Sequence, residues 1–306
     1  MKAKKILVTG SNGLLGQKLL DNLRNRYDFD LIASSKGPDR YPYPGFYQYI
    51  DLDITDRFAV NEIIQAFKPD TIIHTAAMTN VDACESEKEA CWDLNVHALD
   101  HIIEASEKTG THIIHLSTDF VFDGQDGPYR EEDKPAPVSY YGLSKEVSEK
   151  HLSLYSHKWT IIRTIIVYGI VKDMSRTNIV LWAKKALSEN KEITVVDDQF
   201  RSPTLAEDLA EACLSAAVKQ KTGIYHVSGK DFMSIIELVE RVADHYKLDK
   251  TLIKPIKSAS LNQAAKRPPR TGFVLDKAYK ELDYAPHSFV EGMQILDLQL
   301  KELGLL

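Results

Sequence analysis

Along the first half of the chain, short apolar runs alternate with stretches of helical periodicity. ILVTG leads into a helical pattern from Gly13 to Tyr27. LIAS is followed by a loop rich in Pro, Gly and Tyr, and then by YQYID, a helix ending near Phe67 and TIIHTA. Short apolar runs bounded by turn residues suit strands buried on both faces, and apolar residues three and four apart suit crossover helices. The rhythm continues with one long helical pattern from about Ala83 to Lys108, then HIIHLS, a loop rich in Gly, Pro and Asp, a helix holding Tyr141 and Lys145, and WTIIRTIIVYG. Strands that arrive with helices between them must pair in parallel, so the pattern predicts an α/β fold with a doubly wound parallel sheet.

After Gly169 the rhythm loosens. A helix near Ile179 to Asn190, the strand ITVV, a turn at DDQFRSPT, a helix near Leu205 to Val218, GIYHVSG and a mostly helical remainder with LIKPI point to a second, smaller α/β lobe. GIYHVSG is as apolar as the earlier strands and is expected to return to the main sheet. The two units are therefore expected to interleave: a nucleotide-binding domain over 1–169 plus about 198–229, and a substrate lobe over about 170–197 plus 230–306.

Composition narrows the function. With 306 residues, 43% hydrophobic and 27% charged, the chain has the profile of a globular enzyme. Its net charge of -6 supplies no basic field for a nucleic acid. The three cysteines, Cys84, Cys91 and Cys213, form no CxxC pair, which excludes a disulfide framework or a four-cysteine zinc site and suits a reducing compartment. The apolar run at Ile6, Leu7 and Val8 is too short for a secretion signal, and the longest apolar stretch, from Ile161 to Val171, is broken by Arg163. A cytoplasmic protein without membrane partners is the expectation.

Gly10, Gly13 and Gly16 follow a strand and open a helix, the context in which glycines let a diphosphate approach the backbone at a helix N-terminus (the Rossmann fingerprint). At the end of the second strand, where an acidic residue would hold the ribose of NAD, the chain has Ser34, Ser35 and Lys36. Hydroxyls and an ammonium suit the ribose phosphate of NADP better, so NADPH is the expected cofactor, with NADH still open. Tyr141 and Lys145 lie one turn apart on a helix face, where an adjacent ammonium would lower the phenol pKa and make a tuned acid. Ser117, Thr118 and Asp119 end a strand at the carboxyl edge, where open α/β sheets bind ligands, and a hydroxyl there can reach the same oxygen as Tyr141.

With this order of glycines, strand-end hydroxyl and YxxxK, the chain resembles the extended short-chain dehydrogenase/reductases. LDITD, KPDTIIHTAAMTNVDACESE, STDFVFDG, PYREEDKPAPVSYYGLSKEVSEK, DDQFRSPT and KRPPRTGFVLD are similar to successive motifs of the dTDP-4-dehydrorhamnose reductase family. The resemblance implies a reductase of a nucleotide-linked 4-keto-6-deoxy sugar that makes dTDP-L-rhamnose. It implies Tyr141 as proton donor, Lys145 on the nicotinamide ribose and Thr118 on the reacting oxygen. Gly10, Ser11, Asn12 and Gly13 would cradle the diphosphate, Asp53 and Ile54 would flank the adenine, and Thr75, Ala76 and Ala77 would line the cofactor. Two features depart from the pattern: Ile166 stands where a tryptophan against the sugar is usual, and Arg201 where a glycine is usual. Both are similar to the methionine adenosyltransferase regulatory β subunits, so an NADP-binding regulatory subunit is the rival reading. A nucleotide-sugar epimerase or dehydratase ranks third, since Asp119 meets only part of its acid requirement.

Arg201 and Arg267, in irregular segments of the later lobe, are candidates to grip the substrate diphosphate bidentately, the alternative for each being to cap local carbonyls. Asp119 and Ile166 complete the expected substrate contacts. His97 and His101 have ligand spacing but no third ligand, so no metal site is expected. Cys84 and Cys91 read as packing residues sharing a helical face, and PYREEDKPAP as a charged surface loop placed where a lid could lie. The expected partners are the nucleotide sugar and, as an open option, a second copy of the chain in a homodimer.

Overall fold

The computed structural model describes residues 3–26, 28–173 and 177–304. Six parallel strands, β1 (Lys4–Thr9), β2 (Phe29–Ser35), β3 (Gln48–Asp51), β4 (Thr71–His74), β5 (His112–Thr118) and β6 (Trp159–Thr164), form the main sheet with a seventh, Gly223–His226. The order across the sheet is Gly223–His226, β6, β5, β4, β1, β2, β3. The strand within GIYHVSG thus pairs in parallel with β6, Ile224 opposite Ile161.

Alternation within each strand explains the unbroken apolar runs. Ile6 and Val8 of β1 pack on one face with Leu19, Leu20 and Leu23 of α1 (Leu14–Leu23) and with α8 (Ala206–Lys219), while Leu7 packs on the other with Ile72, Ile113 and Ile161. That second face is covered by α2 (Arg57–Phe67), α5 (Ala98–Glu107) and α6 (Tyr140–Ser153) through Val60, Ile64, Leu99, Ile102 and Leu152. Each such side chain contributes about 1.5–3 kcal/mol by leaving water. The first helix ends at Leu23; Tyr27, its expected end, lies outside the described residues. Asp56 caps α2, accepting from the amides of Phe58 and Ala59 at 2.9 and 3.1 Å.

The long helix expected over Ala83 to Lys108 is broken. It divides into α3 (Val81–Ser86), α4 (Lys88–Trp92), a π-helical turn at Asp93–His97 and α5. The turn carries Asn95, whose side chain accepts from the Met78 amide at 2.8 Å and donates to the Met78 carbonyl and the Ser144 hydroxyl. The irregularity thus lies where a polar side chain ties the helix to the loop after β4 and to α6.

The later segments gather around a second core. α7 (Ile179–Ser188) and α9 (Ile235–Tyr246) pack with Phe289, Met293 and Leu296 on a two-stranded parallel pair, Ile193–Val196 with Ile253–Ile256. No helix among the described residues is long and apolar enough to cross a membrane.

Candidate active site

Strand order reverses between β1 and β4, so a crevice opens beyond their carboxyl ends. Gly10 turns the chain there with φ +72°, and a Cβ on it would sit 2.6 Å from the Ala76 nitrogen. A Cβ on Gly16 would meet the Ser11 Cα at 2.6 Å, so only glycine lets α1 lie this close to the turn. Gly13 caps α1 without a side-chain acceptor, which leaves the first amides of the helix pointing into the crevice. The Ser11 hydroxyl is buried beside them with no partner among the described residues. An uncapped helix end, a cradle that any Cβ would fill and an orphaned hydroxyl fit a dinucleotide diphosphate.

At the end of β2 the three polar residues part company. Ser34 is fully buried, its hydroxyl donating to the Val8 carbonyl at 3.4 Å, so it is removed from the ribose-facing set. Ser35 accepts from the Asn12 amide at 3.0 Å. The Lys36 ammonium lies 2.6 Å from an Asp53 oxygen, and that contact holds the Asp53 carboxyl down at about 2. Ile54 is buried in the core under the sheet, and Ala76 packs against the same cluster. The Asn12 side chain accepts from the Arg40 amide and donates to the Pro38 carbonyl, fixing the loop after β2 against the glycine turn.

A cavity of about 700 Å³ runs from this cradle along the strand ends. Asn12, Gly13, Gly16, Thr75, Ala77, Thr118, Asp119, Tyr141, Lys145, Ile166, Arg201 and Arg267 all line it, joined by Gln199 of the DDQFRSPT turn and by Asn178, which carried no sequence signal. Ser139 caps α6 by accepting from the Gly142 amide, which starts the helix so that Tyr141 and Lys145 face the cavity. Thr118, the last residue of β5, lines the cavity together with the Tyr141 phenol and favours its ionised form. The Thr118 hydroxyl donates to Asp119 at 3.1 Å and accepts from the Phe120 amide at 3.2 Å. The Tyr141 ring meets Phe120 edge-on at 5.8 Å and packs beside Cys84 and Cys91, which lie on two separate helices rather than on one shared face.

Burial sets the protonation states. It pushes the Tyr141 phenol well above the usual tyrosine range, with Thr118 opposing, and pushes the Lys145 ammonium down to about 8. The expectation that Lys145 lowers the phenol pKa is corrected in this structure. Loss of water outweighs other influences at both groups, and the lysine nitrogen is directed to His115 Nε2 at 3.0 Å. The protonated phenol is the form a reduction needs.

The two arginines have partners within the protein. Arg201 is 2% exposed; its guanidinium donates to the carbonyls of Phe200, Pro268 and Pro269, and its Nε lies 3.3 Å from Asp119. The carbonyl-capping alternative describes it, because the paired short strands at Phe200–Arg201 and Arg270–Thr271 surround the fork with acceptors. Arg267 forks onto both oxygens of Asp82 on α3, at 3.2 and 2.6 Å, and donates to the Ala265 carbonyl while lining the cavity. Asp119, buried between Arg201, Thr271 and Thr118, has its pKa raised by burial. Ile166 lines the cavity with φ +29°, a conformation that costs a β-branched residue about 1–3 kcal/mol.

Other sequence candidates lie elsewhere. His97 bonds Asp93 and His101 lies near the Ile54 carbonyl. The loop after Gly127 is pinned by Tyr129, which stacks on Phe122 at 4.0 Å and exchanges backbone hydrogen bonds with Gly272 and Val274.

Comparison with known proteins places this geometry. The model of the RmlD substrate binding domain matches residues 4–298. A dTDP-4-dehydrorhamnose reductase of Aggregatibacter actinomycetemcomitans is 30% identical over 95% of this chain and 97% of its own. A methionine adenosyltransferase 2 subunit beta of Danio rerio is 30% identical over 87% of this chain and 81% of its own. The crystal structure of dTDP-4-dehydrorhamnose reductase from Bacillus anthracis str. Ames in complex with NADP superposes with a TM-score of 0.84 at 28% identity, covering 98% of this chain and 100% of that one. A UDP-glucose 4-epimerase of Thermotoga maritima, 21% identical with a TM-score of 0.84, shares the fold. With a family model spanning nearly its whole length, this chain belongs to the RmlD substrate binding domain family.

Proposed function

We propose that the chain is an NADPH-dependent reductase of a nucleotide-linked 4-keto-6-deoxy sugar, with dTDP-4-dehydrorhamnose as substrate and dTDP-L-rhamnose as product. The observation that carries this reading is the convergence of Thr118, Tyr141 and Lys145 in one cavity continuous with the glycine cradle. A bound nicotinamide would supply the hydride. The chain's own part is then to hold and to protonate. Thr118 donates to the sugar carbonyl oxygen, the Tyr141 hydroxyl gives that oxygen its proton, and Lys145 holds the nicotinamide ribose. Gly10 to Gly13 and the α1 amides hold the diphosphate, while Ser35 and Lys36 meet the adenosine ribose phosphate. In the same reading the cofactor domain is 1–169 with about 198–229, the rest is the substrate lobe, and the enzyme works in the cytoplasm, as a monomer or a homodimer.

The reading is supported by the reductase of A. actinomycetemcomitans, matched over nearly both full lengths, and by the NADP complex from B. anthracis. A second reading, an NADP-binding regulatory subunit, is favoured by the similarity to methionine adenosyltransferase β subunits and by Ile166 and Arg201. Purified chain incubated with NADPH and a dTDP-4-keto-6-deoxy sugar separates the two. Consumption of NADPH supports the reductase. No consumption, together with a stoichiometric partner captured from the source cell, supports the subunit.

A further inference from the structure

Strand β5 is buried on both faces, and Ile113 and Ile114 show what packing alone asks of it. His115, 1% exposed, breaks that rule directly beneath the cavity. Its Nε2 lies 3.0 Å from Lys145 Nζ and 3.1 Å from the Ser148 hydroxyl. Ser148 donates its own proton to the Lys145 carbonyl at 2.8 Å. On the far side of the ring Nδ1 has no partner among the described residues, and the ring stacks on His74 at 5.4 Å. An aliphatic residue here would avoid the cost of a buried, unpaired ring nitrogen.

We propose that His115 is a positioning residue for Lys145: its Nε2 lone pair accepts a hydrogen bond from the ammonium, and its tautomer follows the charge of the lysine. The proposal rests on the reading of Lys145 as the group that holds the cofactor ribose. An ammonium has only donors, so while Lys145 is charged Nε2 must keep its lone pair and the imidazole proton must sit on Nδ1. When the amine is neutral, the proton can move to Nε2, where the Ser148 oxygen and the amine lone pair both accept.

Among the described residues no carboxylate competes for this place. Glu149, one turn along α6, accepts from Arg163 at 2.9 and 2.6 Å and from Ser117 at 2.5 Å. The other titratable groups around the lysine are Tyr141 on α6, Cys91 on α4 and, behind His115, His74 on β4. Lys145 therefore has a neutral acceptor and a nearby but occupied carboxylate. That arrangement keeps the ammonium in place while burial lets it titrate close to physiological pH.

The test is NADPH affinity, read by fluorescence from about pH 7 to about pH 9.5 in the unaltered chain and in the His115→Leu and His115→Gln variants. Affinity of the unaltered chain should fall as the lysine loses its proton. His115→Leu should move that fall down by about one pH unit. His115→Gln, whose amide oxygen can stand near the position of Nε2, should restore it. Nitrogen-15 spectra of the unaltered chain supply a readout that needs no variant to fold: the Nδ1–H tautomer at neutral pH, passing to Nε2–H as Lys145 titrates. A fall in affinity that His115→Leu leaves in place, or an Nε2–H tautomer at neutral pH, overturns this proposal alone. A flat affinity profile in the unaltered chain overturns the reading of Lys145 itself and this proposal with it.

Discussion

Replacing Tyr141 by Phe removes one oxygen and little else. The side chain is 8% exposed, its ring lies edge-on to Phe120, and the buried thiols of Cys84 and Cys91 flank it, so a phenyl ring fills the same space. Thr118 keeps the Asp119 carboxylate and the Phe120 amide as partners. The loss in folding stability should therefore stay below about 1 kcal/mol. Catalysis should suffer far more. Among the described residues no other side chain is placed to protonate the carbonyl oxygen: an alcohol such as Thr118 can donate a hydrogen bond but is too weak an acid to give up its proton, and the Lys145 nitrogen is turned to His115. Loss of a general acid costs about 10² to 10⁴ in rate, or roughly 3–5.5 kcal/mol of barrier. Single-turnover oxidation of bound NADPH by the dTDP-keto-sugar measures the step, with cofactor titration and a thermal melt alongside. Cofactor affinity and melting temperature should change little. Turnover within about fivefold of the unaltered chain would refute the assignment of the proton donor.

His74, His112, His115 and His226 are all buried and kept neutral, His74 down to about 3 and His112 to about 4. The unfolded chain binds protons below about pH 6.5 that the folded chain refuses, so stability falls as pH drops. At about pH 5 each imidazole still neutral in the fold contributes about 2 kcal/mol of loss, and equal urea midpoints at neutral pH and at about pH 5 would contradict this. Arg163→Met leaves the Glu149 carboxylate buried without its 2.6 and 2.9 Å partner and should cost about 3–5 kcal/mol in urea unfolding; adding Glu149→Leu should recover much of it. NADPH should bind more tightly than NADH, and Asp53→Asn, which frees Lys36, should widen the gap about threefold, while equal affinities would show that the end of β2 does not meet the ribose phosphate. Gly16→Ala, whose Cβ would press on the Ser11 backbone, should weaken NADPH binding before it affects Thr118 or Tyr141, and an unchanged dissociation constant would argue against the cradle.

How much of this was legible in the chain follows from how far each interaction reaches. Strands covered on both faces must be apolar at both odd and even positions, so β1, β4, β5 and β6 stand out, and so does the return of Gly223–His226 to the sheet. The placement of Thr118, Tyr141 and Lys145 follows from strand ends and helix spacing. The π turn has no local signature, because Asn95 in it reaches Met78 and Ser144, contacts across 17 and 49 residues. The fate of the arginines depends on acceptors more distant still: Asp82 lies 185 residues before Arg267, and no local pattern announces such a pair. Ser34 and Ser35 are neighbours in a strand and so face opposite ways, a signal that separates the buried hydroxyl from the one that meets Asn12. His115 carried a signal as well, a polar residue inside a doubly buried strand, and its meaning depended on the lysine above it.

The central claim is that hydride and proton meet at one sugar carbonyl in this cavity. Incubating the purified chain with NADPH deuterated at the transferable position and with the dTDP-4-keto-6-deoxy sugar tests it most directly, by mass and by proton spectra of the sugar product. The account predicts a single deuterium on carbon 4 of the reduced sugar, with label transfer lost in the Tyr141→Phe chain. Unlabelled, unreduced sugar recovered from a folded chain saturated with NADPH would contradict it.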